Sequence, residues 1–329
     1  MPGDGKTAAE YHQLWLFEPE GGPDMGVLRM ERARLAGNGK HARATQLAYE
    51  HCWRDFTAWC AAAGRAAPPA SADTVELYLT DLAARCKLST LQQRAAAIAY
   101  THKAAGLANP VGPGARELLR AMAREKGSCQ ERKAALTVDE LRRMCAKLGR
   151  RPQDARDRAV LLLGFASGMR RSELAALELA DVAFLSKGVR VRIRRAKNDQ
   201  MGAGREIGIF RGRRASTCPV RALERYLRVR GRWAGPLFVA ADSAGRLTRE
   251  SIRGEVVGHM VQRCVELIGL DPARYGGHSL RAGMITAAAE AGTPEVLIAQ
   301  RSGHRSLAVL SRYVRPANIF AFNPLARAL

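Results

Sequence analysis

The chain has 329 residues, 47% of them hydrophobic, enough for two domains that each bury a core. Its 53 Lys and Arg against 31 Asp and Glu give a formal net charge of +22 and a pI of about 10.6. That balance points to a polyanion, nucleic acid above all, rather than a membrane surface. No run of about 18 apolar residues could span a bilayer, and the N-terminus lacks a secretory pattern. Seven scattered cysteines without a CxxC pair read as reduced thiols, not as disulfides or a zinc site. A cytoplasmic location is expected, at the nucleoid when bound to DNA.

Residues 1–39 show little periodicity and are read as a flexible arm. Helical patterns begin in ATQLAYEHCWRDFTAWCAAAG, where Tyr49, Cys52, Trp53, Phe56, Trp59 and Cys60 share one face. A second helix is predicted with Asp73 as N-cap and Glu76 at the third position. A third is predicted from Ser89, with Gln92 completing a capping box, and a fourth over 113–125. These helices form a helical domain over 40–126, with Arg94 and Lys103 as candidate DNA contacts, and His102 beside them. Polar residues 127–134 read as a linker, and Thr137 with Glu140 opens a second domain, 135–329, by another capping box. DARDRAVLLLGFASGMR reads as a buried helix and SELAALELADV as another. Val189, Val191 and Ile193 alternate with Arg190, Arg192 and Arg194, a strand with one apolar and one basic face; REIGIF is its expected partner. Further helices are expected at 219–231, 249–268, 278–291, 294–300 and 306–313, with Thr293 and Pro294 as N-cap and first helical residue. The fold class is thus mainly α with a small β-sheet, a helical N-terminal DNA-binding domain followed by an α+β domain.

Fifteen Arg or Lys stand against three Asp or Glu within 187–232, a composition suited to following phosphates. Arg192, Arg194, Arg195 and Arg205 are the candidate DNA contacts there. Among them and beyond lie Arg170, Lys197, HSLR at 278–281, SGH at 302–304 and Tyr313. Two arginines, a lysine, two histidines and a tyrosine are the groups needed to cut DNA with a tyrosine nucleophile. Fixed cations stabilise the charge that builds on the non-bridging oxygens, and the phenol can hold the cut end covalently.

At these residues the chain resembles the tyrosine recombinase (phage integrase) family, most closely its Cre-like branch. SGMRRSE stands where that family has T-G-x-R-x-x-E, giving Arg170 and Glu173. HSLR matches H-x-x-R, giving His278 and Arg281. SGH stands for L-G-H, giving His304, and Tyr313 follows nine residues later. Lys197 lies in RVRIRRAKNDQMGAGREIGI, the place of the family's hairpin lysine, with Lys187 nearby. The helical domain would then be the family's SAM-like core-binding domain. The resemblance implies that Tyr313 attacks the scissile phosphate to form a 3′-phosphotyrosyl link. Arg170 and Arg281 would hold non-bridging oxygens, Lys197 would protonate the departing 5′ oxygen, and His304 would donate to the phosphate. His278 would take the tyrosine proton, and Glu173 would orient His278 or Arg170. It also implies no cofactor and no metal. The partner would be double-stranded DNA with an inverted-repeat site, bound by a tetramer on two sites, with the apolar tail 317–329 docked on a neighbour or folded back on its own domain. The same chemistry serves hairpin telomere resolvases and type IB topoisomerases. A non-catalytic DNA-binding protein of this fold is the alternative of another class, and the full set of catalytic positions argues against it.

Overall fold

The computed structural model describes residues 43–125, 133–194, 204–304, 306–308, 310, 311 and 313. The expected arm, most of the linker, Arg195, Lys197 and the tail after Tyr313 lie outside these residues. The chain divides into two compact units, Met1–Gln130 and Glu131–Leu329. No described helix is long and apolar enough to cross a membrane.

The first unit holds four helices: α1 Arg43–Ala62, α2 Ala72–Ala83, α3 Leu88–Ala104 and α4 Pro113–Glu125. Phe56, Tyr78, Leu79, Leu91 and Ile98 are fully buried in its core. Phe56 and Trp59 each meet the Tyr78 ring edge-on, so the aromatic face of α1 is packing surface rather than a stacking platform for bases. Two caps differ from expectation. The N-cap of α2 is Ser71, whose hydroxyl accepts from the Thr74 amide at 3.1 Å; Asp73 lies in the first turn, paired with Arg65. Helix α3 starts at Leu88 behind Lys87 with no side-chain cap. His102 is fully buried. Its Nε2 accepts from the Ala70 amide at 3.0 Å and its Nδ1 lies 2.9 Å from the Ile98 carbonyl. That pair of bonds defines a neutral Nδ1–H tautomer, so this histidine is a core group and not a DNA contact.

The second unit contains α5 Val138–Lys147, α6 Pro152–Ser167 and α7 Arg171–Ala175, then a sheet of β1 Val182–Leu185, β2 Gly188–Ile193 and β3 Arg205–Phe210. Helix α8 Pro219–Arg230, hairpin strands β4 Val239–Ala241 and β5 Leu247–Ser251, and helices α9 Gly254–Glu266, α10 Gly277–Glu290 and α11 Glu295–Ser302 follow. The sheet is antiparallel in the order β1-β2-β3, with Val191 opposite both Val182 and Ile207. The alternation expected for β2 is present: Val189, Val191 and Ile193 are buried while Arg190 and Arg192 face water. Helix α6 is buried nearly all round and packs against α8 and α10, which is why its sequence is an apolar run without a polar stripe. Where a charge enters this core it is answered: Asp157, wholly buried, accepts from Arg156 at 2.9 Å and also meets Arg263.

SELAALELADV does not form one helix. It breaks after Ala175 because the backbone at 177–179 is taken by 235–237: Leu237 N–H donates to the Leu177 carbonyl at 2.7 Å and Leu179 N–H to that of Gly235 at 2.9 Å. The 249–268 segment likewise begins as strand β5 before α9 starts at Gly254. Cys52, Cys60, Cys145, Cys218 and Cys264 are buried and unpaired. Burial pushes the Cys145 thiol up to about 11 and that of Cys264 to about 12, so both are inert packing groups.

Candidate active site

The first arginine box is a turn. Helix α6 ends at Gly168, whose φ of +64° reverses the chain; a Cβ there would strike the Met284 side chain at 2.0 Å. Ser167, fully buried, closes the turn by accepting from the Met169 amide at 3.3 Å. The next helix, α7, starts behind Arg170. The Arg170 amide donates to Glu173 Oε2 at 3.1 Å and its guanidinium to Oε1 at 2.6 Å. Glu173 is buried and receives a second cation, Arg205, at 3.2 Å. One carboxylate therefore holds two arginines side by side.

Helix α10 carries the H-x-x-R box. His278 and Arg281, three apart, share a face. Arg281 is 2% exposed, and its Nη1 donates to the Gly168 carbonyl at 2.9 Å and to that of Ser302. Burial, followed by the charge of Arg170, pushes its guanidinium down to about 10, which still leaves it a cation at neutral pH. Helix α11 ends at Gly303, φ +69°, and that turn brings His304 back beside Arg281, with Nη2 3.1 Å from Nε2. Burial and the neighbouring cations, Arg281 first and then Arg170, push His304 down to about 4. It is a neutral ring at physiological pH.

Tyr313 lies in helical residues within 307–313. Its hydroxyl is 2.7 Å from His278 Nε2, and its ring centroid lies 6.2 Å from that of His304. Arg170, Glu173, His278, Arg281, His304 and Tyr313 thus gather around one point, and of these Arg170 and His278 line a cleft of about 570 Å³ together with Lys133, Arg171 and His259. The arrangement offers a hydroxyl beside a base, two fixed guanidinium groups and a neutral imidazole, which suits attack on a phosphodiester.

The proposed DNA contacts separate. Arg192 and Lys103 are exposed. Arg94 is 13% exposed and held by Asp55 at 2.7 Å, and Arg194 is held by Asp181 and Glu178 at 2.6 and 2.8 Å. Arg205 points inward, to Glu173 beside Arg170, with its Nε buried and unbonded. The basic stretch 187–232 also divides: Arg214, Arg221, Arg225 and Arg228 line a different cleft of about 990 Å³, with Arg142 and Arg158. Sequence reasoning missed Arg301, whose guanidinium bonds the Ala166 carbonyl at 2.7 Å and the Gly208 carbonyl at 3.2 Å, so tying α11 to the arginine turn and to β3. Its place two residues before the SGH glycine was the available signal.

Comparison with known proteins finds relatives over most of the chain. Residues 134–318 match the phage integrase family. An integrase/recombinase xerD homolog from Selenomonas ruminantium is 34% identical over 288 residues, covering 86% of this chain and 84% of that protein. A tyrosine recombinase XerC from Pelobacter propionicus is 29% identical, covering 88% and 91%. Among solved structures, the Tn1549 transposon integrase in complex with transposon right end DNA aligns at 15% identity with a TM-score of 0.62, over 88% of this chain and 94% of that one. A lambda integrase dimer bound to a core site aligns at 15% and 0.58, over 87% and 94%.

Proposed function

This chain belongs to the phage integrase family and is a site-specific DNA recombinase of the tyrosine class; from that premise we propose that Tyr313 is its nucleophile and His278 the base that receives the phenolic proton. The observation that carries the assignment is the 2.7 Å contact between the Tyr313 hydroxyl and His278 Nε2 beside Arg281 and His304. In the forward step the tyrosine oxygen bonds to phosphorus as its proton passes to His278. The bond from phosphorus to the 5′ oxygen breaks, and Lys197 gives that oxygen a proton. Arg170 and Arg281 fork onto the non-bridging oxygens, a match to planar guanidinium, and Glu173 holds Arg170 in place. Rejoining runs the same path backward with a partner 5′-hydroxyl, so the bond energy stays in the 3′-phosphotyrosyl link and no nucleotide is consumed.

DNA is the partner. Its target is an inverted repeat, and four protomers meet on two sites with the 317–329 tails docked on neighbours. The test is selection of bound duplexes from a random pool, followed by nicked suicide substrates built on the selected site. An SDS-resistant protein–DNA complex that Tyr313→Phe abolishes is the expected result. Selected sites without two-fold symmetry would remove the inverted-repeat part, and no covalent complex from wild-type protein would remove the nucleophile assignment.

A further inference from the structure

The residue two before His304 is Ser302, where the family box that this segment resembles commonly has leucine. It is wholly buried, and its hydroxyl is 2.7 Å from His304 Nδ1 and 2.6 Å from the Ile298 carbonyl in the preceding turn of α11. A serine hydroxyl has one proton and can accept as well as donate. Arg281 can only donate, and its Nη2 lies 3.1 Å from Nε2 and 3.2 Å from Nδ1, so it can bond only whichever ring nitrogen carries no proton.

Resting on the recombinase reading, we propose that Ser302 is a positioning residue that sets which nitrogen of His304 carries the ring proton. In the free protein the hydroxyl donates to the Ile298 carbonyl and accepts from Nδ1–H. That leaves the Nε2 lone pair to take the Arg281 proton, and every group is satisfied with a neutral ring. A scissile phosphate changes the requirement, because Arg281 then turns its donors to the anion and Nε2 must donate to it as well. Rotation about the Ser302 Cβ–Oγ bond answers this: the hydroxyl now donates into Nδ1, and Nε2 carries the proton. One proton leaves Nδ1 for water and one arrives at Nε2 from water, so the ring stays neutral throughout. The depressed basicity of His304, due first to burial and then to four cationic or basic neighbours, agrees with a neutral donor. A leucine at 302 would set carbon against Nδ1 and could play neither part.

The test uses the full chain with ¹⁵N-labelled histidine, the His304 signals assigned through His304→Gln. At neutral pH the free protein should show a neutral ring protonated at Nδ1. On a selected duplex, with Tyr313→Phe to prevent cleavage, it should show a neutral ring protonated at Nε2. Ser302→Ala should give a mixture of tautomers in the free protein. It should also slow covalent-complex formation at saturating DNA about tenfold, the scale of one hydrogen bond, without changing DNA affinity. Ser302→Thr keeps the hydroxyl and should restore most of the rate. An unchanged tautomer in Ser302→Ala, an imidazolium on DNA in the wild type, or a Thr variant as slow as Ala would each overturn the proposal. If the Ala variant does not fold, the wild-type tautomers and the Thr variant decide. The free-protein spectra need no activity, so a failed recombinase assignment is seen separately, as the absence of covalent complex from wild-type protein.

Discussion

The Tyr313 hydroxyl lies 2.7 Å from His278 Nε2, although 35 residues separate them and they sit on different helices. A phenol is a poor nucleophile at neutral pH, because its free pKa is about 10. An acceptor already in hydrogen-bond range gives the proton somewhere to go as the oxygen attacks. Tyr313→Phe is expected to bind DNA like wild type in gel-shift titration and to form no covalent complex. His278→Gln should keep a residual rate, about 100-fold or more below wild type. A covalent complex surviving in Tyr313→Phe would move the nucleophile to another tyrosine.

Loss of Arg170 or Arg281 should act on the chemical step. Arg170→Ala is expected to cost about 3–4 kcal/mol of transition-state stabilisation, or roughly 100- to 1,000-fold in cleavage. Arg281 also bonds the Gly168 and Ser302 carbonyls, so Arg281→Ala should lower thermal stability as well, whereas Arg170→Ala should not do so to the same degree. Single-turnover cleavage beside a melting curve separates the two effects. A cleavage loss that merely follows binding would make these residues anchors.

His304 should leave a signature in stability against pH. Its folded pKa, about 4, is below the ordinary value of about 6.5, so the unfolded chain binds the extra proton first. The stability tied to the neutral ring is therefore present above about pH 6.5 and falls as pH drops toward 4. His304→Gln should flatten that part of the curve relative to wild type. Urea titrations at pH 7, 5.5 and 4.5 measure it; parallel curves for both proteins would show that the ring is not held neutral.

The arginines of the β2–β3 region should not be equivalent. Arg192 is exposed, while Arg194 is engaged by Asp181 and Glu178. Arg192→Ala is expected to reduce the slope of log affinity against log salt by about 1, as one phosphate contact is lost. Arg194→Ala should leave the slope nearly unchanged. Equal changes in slope would mean that the carboxylates release Arg194 when DNA binds.

Gly283 faces the backbone across α10: a Cβ there would come within 2.1 Å of the Leu136 carbonyl oxygen and 2.7 Å of a Phe165 ring carbon. Gly283→Ala should destabilise by about 1–3 kcal/mol, read as a lower denaturant midpoint with an unchanged slope. An unaffected midpoint would show that the N-terminal segment of the second unit yields at no cost.

The grouping of Arg170, His278, Arg281, His304 and Tyr313 was legible because each box is a short local pattern: a helix end with its glycine, an i,i+3 pair, a second glycine turn. Strand β2 was legible for the same reason, its period of two being plain in the residues. Long-range partners were not. Nothing near Arg194 in sequence announces Asp181 as its partner, and Arg205 looks like any hairpin arginine until Glu173 and the α11 carbonyl of Arg301 are brought beside it. The break in SELAALELADV depended on residues 235–237, about sixty positions away, and Ser71 took the cap of α2 that Asp73 would have filled two residues later.

Arg170, Arg205 and Arg281 crowd together around a single carboxylate, Glu173. Three guanidinium groups against one carboxylate leave a surplus of positive charge that suits a tetrahedral oxyanion. Ordinary sulfate or phosphate in a storage buffer should therefore occupy this corner of the protein, raising the melting temperature by mass action while slowing the enzyme by competition. A preparation that looks most robust in such a buffer would then be the one least ready to cut.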